Sequence, residues 1–251
     1  MSRAVAAVAF LTRIPVGRAV AIDGDDVARS GPTFPIVGAA IGAVVGGIAA
    51  VLAGPLSSLL AAAVALAAGV GLSGALHLDA LADTADALGA SSRGPDRERA
   101  LAIMRDPTIG AFGAAAIGLD LLIKVAALST LATHHQVLRL AVAAGALSRV
   151  TPVLLAAALP YARPGGGAGA ALTRGGRGRA AVGAVIAVAI AVAVAGVHGG
   201  ELSGVALGLT VALGFGFRRW LGGVTGDLLG AALELTETVL LVVGVALVGG
   251  Q

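Results

Sequence analysis

Thr33-Phe-Pro-Ile-Val-Gly-Ala-Ala-Ile-Gly-Ala-Val-Val-Gly-Gly-Ile-Ala-Ala-Val-Leu-Ala53 carries no charged side chain. A helix of that length, rising about 1.5 Å per residue, spans roughly the 30 Å of a bilayer's hydrocarbon core. The pattern recurs outward from it, at about 56–76, 109–131, 137–159, 180–197, 202–217 and 231–249, in apolar blocks bounded by charges. Pro32, Pro35, Pro55, Pro107, Pro152 and Pro160 fall mostly at or near the ends of these blocks, where a missing amide donor costs least. The reading is an all-α, polytopic transmembrane bundle of about seven spans, forming a single integral membrane domain over 1–251.

Composition agrees. Apolar residues make up 57% of the chain and charged residues 12%, too apolar a balance for a soluble domain. Aromatics are scarce at 3%, whereas 39 Gly and many Ala residues let helices approach closely where lipid supplies no hydrophobic drive. The chain has no Cys, which excludes disulfides and thiolate metal sites. An isoelectric point near 10.5 could suggest nucleic acid, but the arginines sit between apolar blocks, so the partner expected is the lipid bilayer and no nucleic acid. Ala4 to Leu11, short and flanked by Arg3 and Arg13, lacks a cleavage context and is not expected to be a cleaved leader.

The basic residues alternate. Arg3, Arg13, Arg18 and Arg29 precede the first span. Loop 77–108 holds Arg93, Arg97, Arg99 and Arg105, and loop 160–179 holds Arg163, Arg174, Arg177 and Arg179. Arg218 and Arg219 follow the sixth span, while connections 54–55, 132–136 and 198–201 contain no Lys or Arg. That bias predicts a multi-pass protein of the cell (inner) membrane, with its N-terminus and basic loops in the cytoplasm. Residues 1–22 read as an interfacial helix or an eighth insertion. The Gly-rich tract 164–178 reads as a flexible basic loop; no strand or Walker pattern accompanies it.

The strongest chemical signal is Gly74-Ala-Leu-His77-Leu-Asp79-Ala-Leu-Ala-Asp83-Thr-Ala-Asp86-Ala-Leu-Gly89. On a helix Asp79, Asp83 and Asp86 share one face, and three like charges there call for a cation. Hard carboxylate oxygens suit Mg²⁺, with Mn²⁺ as an alternative, particularly where substrate phosphates complete the coordination. A solvated acidic face is the plainer alternative. The surrounding Leu and Ala, at a cytoplasmic span edge, argue against it. His77 lies off the aspartate face of an ideal helix, so its role as a substrate contact depends on where the helix begins.

A second acidic face, Asp227, Glu234 and Glu237, lies where a basic loop enters the last span, on the same side. Asp227 and Glu234 are candidate catalytic groups and Asp227 a candidate metal ligand. The alternative makes Asp227 a helix cap and pairs the glutamates with Arg218 and Arg219. Before the third span, Met104-Arg-Asp-Pro-Thr-Ile-Gly-Ala-Phe-Gly113 offers Arg105, Asp106 and Thr108 as substrate contacts at a positive helix end, a plausible phosphate seat. Asp120 and Lys124 read as an i, i+4 pair that neutralises itself. Arg149, mid-span, faces the interior as a phosphate ligand or as the partner of a carboxylate. His134 and His135 fall on the opposite side and read as solvated.

These motifs together carry a resemblance. Phe10-Leu-Thr-Arg13-Ile-Pro15, the His77/Asp79/Asp83/Asp86 block, Met104 to Gly113, and Gly222-Gly-Val-Thr-Gly-Asp227 with Glu234 resemble the cobalamin synthase family, in that family's order and over most of the chain. Ala80 departs from the pattern, where Gly is expected after the aspartate. The resemblance implies a membrane adenosylcobinamide-GDP ribazoletransferase. Its Mg²⁺-dependent reaction joins a corrinoid-GDP to α-ribazole, or to its 5′-phosphate, with release of GMP. It further implies Asp79, Asp83 and Asp86 as metal ligands, Asp227 and Glu234 completing the site, and Arg13 and Arg105 on phosphate. A homo-oligomer, or association with other enzymes of cobalamin synthesis, stays open. A CDP-alcohol phosphotransferase is the nearer rival, but its Asp-x-x-Asp-Gly-x-x-Ala-Arg pattern is missing. A secondary transporter built on Asp120, Lys124 and Arg149 is the more distant one, with carboxylates at one edge rather than the midplane arguing against it.

Overall fold

The computed structural model describes residues 3–16, 23–90, 96–164, 166 and 169–249, which are overwhelmingly helical. Six helical stretches are long and apolar enough to cross a membrane. The first is Gly24–Leu52, built from α2 (Gly24–Ser30), a 3₁₀ turn (Gly31–Thr33) and α3 (Phe34–Leu52). After two shorter helices, α4 (Ser58–Ser73) and α5 (Leu76–Ala90), comes α6 (Arg97–Ile103). The remaining crossings are α7 (Ala111–Thr133), α8 (Val137–Ala158), α10 (Arg177–Ala195), α11 (Val197–Leu221) and α12 (Gly226–Gly249). A single turn, α9 (Ala170–Thr173), lies within the Gly-rich tract read as loop.

The expected second span is not a straight helix. Together α4 and α5 are apolar enough for a seventh crossing, but they meet at 90°. Gly74, at φ 66°, closes α4 in the left-handed conformation, and Ala75 follows at φ 57°. Two consecutive left-handed residues end a right-handed helix and redirect the chain. The sixth span is longer than 202–217, because Gly196 (φ 57°) makes the whole turn and residues 198–201 already belong to α11. The seventh begins at Gly226, so Asp227 stands in its first turn. Helix α1 (Arg3–Leu11), with 9 residues, is too short to be an eighth insertion and packs on α2 and α3. Arg18 and Arg93 lie outside the described residues.

Helix α8 is the axis, buried along most of its length and flanked by α3, α7, α10, α11 and α12. Its closest partner is α3. Gly38, Gly42 and Gly46 recur every four residues along α3 and lie against Gly145, Ala141 and Leu138 of α8. A Cβ on Gly46 would stand 2.8 Å from the Leu138 Cα, and one on Gly42 would run into the Ala141 carbonyl. Small residues thus bring two backbones into contact, a means of association available inside lipid. Val185, Val192, Leu207, Val211 and Phe215 point outward from α10 and α11, the apolar surface that a bilayer covers.

Gly42→Leu is expected to lower the thermal midpoint of the detergent-solubilised protein, because the bulk meets backbone; overpacking costs about 1–3 kcal/mol or more. Gly47→Leu, where a Cβ meets nothing within 4 Å, is expected to leave the midpoint unchanged. Equal midpoints for the two variants would contradict the α3–α8 seam.

Candidate active site at the membrane edge

Helix α5 buries Leu78, Ala80, Leu81, Ala82 and Ala87 against its neighbours, chiefly α12 and α7. At its crossing with α12, a Cβ on Gly230 would come 2.5 Å from the Cβ of Ala80. The methyl group at Ala80 is therefore accommodated by a glycine in the facing helix. This contact lays the aspartate face of α5 beside the start of α12. Asp79 is exposed and Asp83 half-buried, and Asp79, Asp227 and Asp86 all act on the charge of Asp83. The structure thus brings together four of the five carboxylates expected at the site, from positions far apart in sequence.

Asp227 is not the cap of α12. The Thr225 hydroxyl accepts from the Leu228 amide at 3.2 Å, while the Asp227 carboxylate pairs with Arg163. In the sequence Arg163 stands out only as part of the basic loop. It also donates to the Met104 carbonyl at 3.2 Å and is the positive charge that offsets the aspartates. A knitted edge holds it there. Val224 donates to Pro160 (2.9 Å) and Ala162 to Val224 (2.8 Å). Arg97 donates through Nε to the Leu221 carbonyl at 2.9 Å and through a terminal nitrogen to that of Ala162 at 2.8 Å.

Asp86 has a different task from the one expected. Its two carboxylate oxygens accept from the amides of Gly110 (2.7 Å) and Gly113 (2.9 Å), so it caps α7 from another helix. A Cβ on Gly110 would lie 2.5 Å from that carboxylate, which explains a glycine at the head of α7. The positive helix end expected to seat phosphate is therefore filled by a side chain of the protein itself. Asp106 holds the turn before α7. It accepts from the amide (2.9 Å) and hydroxyl (2.5 Å) of Thr108, and these bonds hold its carboxyl below the usual carboxylate range. Arg105 is exposed on the same turn. The Arg13 side chain lies over Gly74 at the bend, and its amide donates to the Leu72 carbonyl at 2.8 Å.

Glu234 and Arg149 leave the edge. Seven residues beyond Asp227, Glu234 sits about 10 Å deeper along α12. There it is buried and paired with Lys124. Glu237, also expected on the edge face, pairs with Arg149 and lies 3.4 Å from Lys124. Arg149 also donates to the Ser148 hydroxyl at 2.9 Å, so it is a carboxylate's partner rather than a phosphate ligand. Asp120 keeps Lys124 at 3.0 Å and accepts from Thr238, so the expected self-contained pair is one end of a wider network. Neither glutamate meets Arg218 or Arg219. The i, i+7 spacing gave the face correctly and the depth wrongly.

Among the described residues, no three His, Asp or Glu side chains converge as a ready metal cage. Mg²⁺ seldom needs one, since one or two carboxylates and the oxygens of a bound phosphate suffice. Asp79 and Asp83 fit that demand, whereas Asp86, turned to α7, does not. Beside them opens a cavity of about 340 Å³, lined by Asp79, Asp227, His77 and mostly apolar side chains of α1, α3, α5 and α12. His77 is buried, and its Nδ1 has no hydrogen-bond partner.

Removing one member of a buried ion pair leaves an uncompensated charge, at a cost of about 3–5 kcal/mol. Lys124→Met is therefore expected to lower the thermal midpoint strongly, and adding Glu234→Gln is expected to recover part of the loss. Additive losses in the double variant would show that the two groups do not depend on each other.

Comparison with known proteins identifies the family. The family model for cobalamin-5-phosphate synthase matches residues 3–245. A protein of Chlorobium phaeovibrioides named adenosylcobinamide-GDP ribazoletransferase is 38% identical over 89% of this chain and 90% of its own length. Proteins of the same name from Azorhizobium caulinodans (41% identical; 92% of this chain, 90% of the relative) and Pseudomonas aeruginosa (40%; 94% of each) are similar throughout. No solved structure matches the chain. With family motifs at one membrane edge and similarity running over nearly its whole length, the chain belongs to the cobalamin-5-phosphate synthase family.

Proposed function

We propose that the chain is a membrane phosphotransferase that joins adenosylcobinamide-GDP to α-ribazole, or to its 5′-phosphate, and releases GMP. The observation that carries this reading is the meeting of Asp79 and Asp83 from α5 with Asp227 from α12 at one edge of the bundle, beside a cavity. The printed names of the relatives supply the substrates.

In the reaction, a hydroxyl oxygen of the ribazole forms a bond to the corrinoid-side phosphorus of the diphosphate. The bond from that phosphorus to the GMP oxygen breaks, and the hydroxyl proton leaves to a carboxylate. Asp79 and Asp83 are the residues that would hold Mg²⁺, which when bound neutralises charge on the diphosphate and its leaving group. Asp227, oriented by Arg163, takes the hydroxyl proton. Exposed Arg105 and Arg13, on the turn before α7 and at the α4–α5 bend, suit phosphate contact. Most of the acceleration in such a transfer comes from positioning and electrostatics. Asp86 contributes by holding the head of α7 against α5, and Glu234 and Arg149 by fixing α12 against α7 and α8.

The arginine-bearing edge faces the cytoplasm of the cell (inner) membrane in this reading, as the charge bias requires. Cysteine placed at Glu98 on α6 and at His134 between α7 and α8 is expected to label from opposite sides; labelling of both from one side would refute this orientation.

Purified protein supplied with adenosylcobinamide-GDP and α-ribazole is expected to release GMP, and EDTA to stop it. Asp83→Asn and Asp227→Asn are each expected to lower the rate by about a hundredfold or more. Groups acting as a unit lose activity non-additively, so the double variant is expected to be little worse than the poorer single. Full activity in EDTA would remove Mg²⁺ from the proposal, and absence of GMP release from the wild type would sink the proposal itself.

A further inference from the structure

The 340 Å³ cavity lies where α1, α3, α5 and α12 come together. Helix α1 contributes Phe10, and α3 contributes Phe34. Their rings stack with centroids 5.7 Å apart at 28°. Leu233 of α12 closes the wall, and Asp79 and Asp227 stand at the rim beside the edge site. The polar group set among these apolar walls is His77, only 6% exposed, with Nδ1 unpartnered. A buried polar ring left without a partner is costly, and a ligand that bonds it relieves that cost.

Size and polarity select the occupant. Ligand pockets for small molecules run from about 300 to 1,000 Å³. This cavity sits at the lower end, large enough for a nucleoside and several times too small for a corrinoid ring with its side chains. A guanine edge, rich in donors and acceptors, would be left unsatisfied against these walls. A planar, largely apolar fused-ring base with one in-plane ring nitrogen would not. It would find an aromatic face to stack on and one polar partner, the imidazole of His77.

The geometry points to this cavity as the seat of the acceptor nucleoside's base, with His77 as its polar anchor and the sugar hydroxyl held at the Asp79/Asp227 rim. The inference rests on the ribazoletransferase reading and deepens it. It makes His77 and Phe34 determinants of acceptor specificity, and it assigns the corrinoid-GDP to the open edge rather than to the bundle interior. The short helix α1, which spans nothing, acquires a purpose as one wall of this seat.

The test separates the two substrates kinetically in the full-length protein. Ala9 of α1 also lines the cavity, so Ala9→Phe narrows it without touching the carboxylates. Ala9→Phe and His77→Leu are each expected to raise KM for α-ribazole by about tenfold, the order expected for a lost pocket contact. KM for adenosylcobinamide-GDP is expected to stay within twofold of the wild type. Titration of α-ribazole alone into wild-type protein in nanodiscs is expected to show binding that Ala9→Phe weakens by the same factor. An active wild type whose variants raise KM for the corrinoid substrate instead, or neither KM, would overturn the cavity assignment and leave the ribazoletransferase reading intact. A wild type that binds α-ribazole but releases no GMP would fail the reading of function and not the seat. Should His77→Leu not fold, Ala9→Phe, judged by its elution as a monodisperse species, decides alone.

Discussion

A helix leaving the membrane normally continues along its own axis or ends in a loop. At Gly74 and Ala75 two successive left-handed residues forbid the first course and shorten the second to nothing, so α5 begins at once at a right angle to α4. Everything at the edge follows from that bend. It aims α5 across the bundle, where Ala80 can nest on Gly230, and it carries the aspartate face to Asp227 instead of out into solvent. It also brings Asp86 within reach of the amides at the head of α7, so one helix ties the bend, the third crossing and the last crossing together. Gly74 allows this backbone freely. Ala75 adopts it at a strain that the packing of α5 must offset.

Much of this was legible in the sequence, and the reason is physical. Hydropathy over about twenty residues measures the same thing a bilayer measures, so the blocks at 33–53, 109–131 and 137–159 fall close to α3, α7 and α8, although the first crossing begins earlier, at Gly24. Helical spacing reports which side chains share a face, so Asp79, Asp83 and Asp86 were recognisable as a group. Spacing does not report who sits opposite. Asp86 and Glu234 look alike in the sequence, each an acid on a helical face near a span edge. One is claimed by backbone amides 24 and 27 residues on, the other by a lysine 110 residues back. Arg163 gave no local signal, being one arginine in a loop whose charges all serve orientation equally well. The bend was hidden for a similar reason, because Gly-Ala at the end of an apolar run reads as well for a cap as for a corner.

The interior network shows how a membrane tolerates what it ordinarily excludes. Asp120, Glu234 and Glu237 meet Lys124 and Arg149 between α7, α8 and α12, with Thr238 and Ser148 adding hydrogen bonds. Charges at that depth persist only when paired and turned away from lipid. Here the pairing does a second thing, since Lys124 with Glu234 and Glu237, and Arg149 with Glu237, bridge helices that small residues alone would leave free to slide. His77, which lines the cavity, feels the charges of both Glu234 and Arg149.

The order in which the chain is made gives the Asp120–Lys124 pair a further significance. Lys124 is synthesised 110 residues before Glu234, and Arg149 88 residues before Glu237. When α7 leaves the ribosome and seeks lipid, the glutamates that hold Lys124 in the finished protein do not yet exist. One turn earlier on the same helix, Asp120 is already there. A carboxylate that shares Lys124 with two glutamates in the mature bundle is thus the counter-ion at hand for the nascent helix. The helix that brings the glutamates to the lysine, α12, also carries Asp227 to the site.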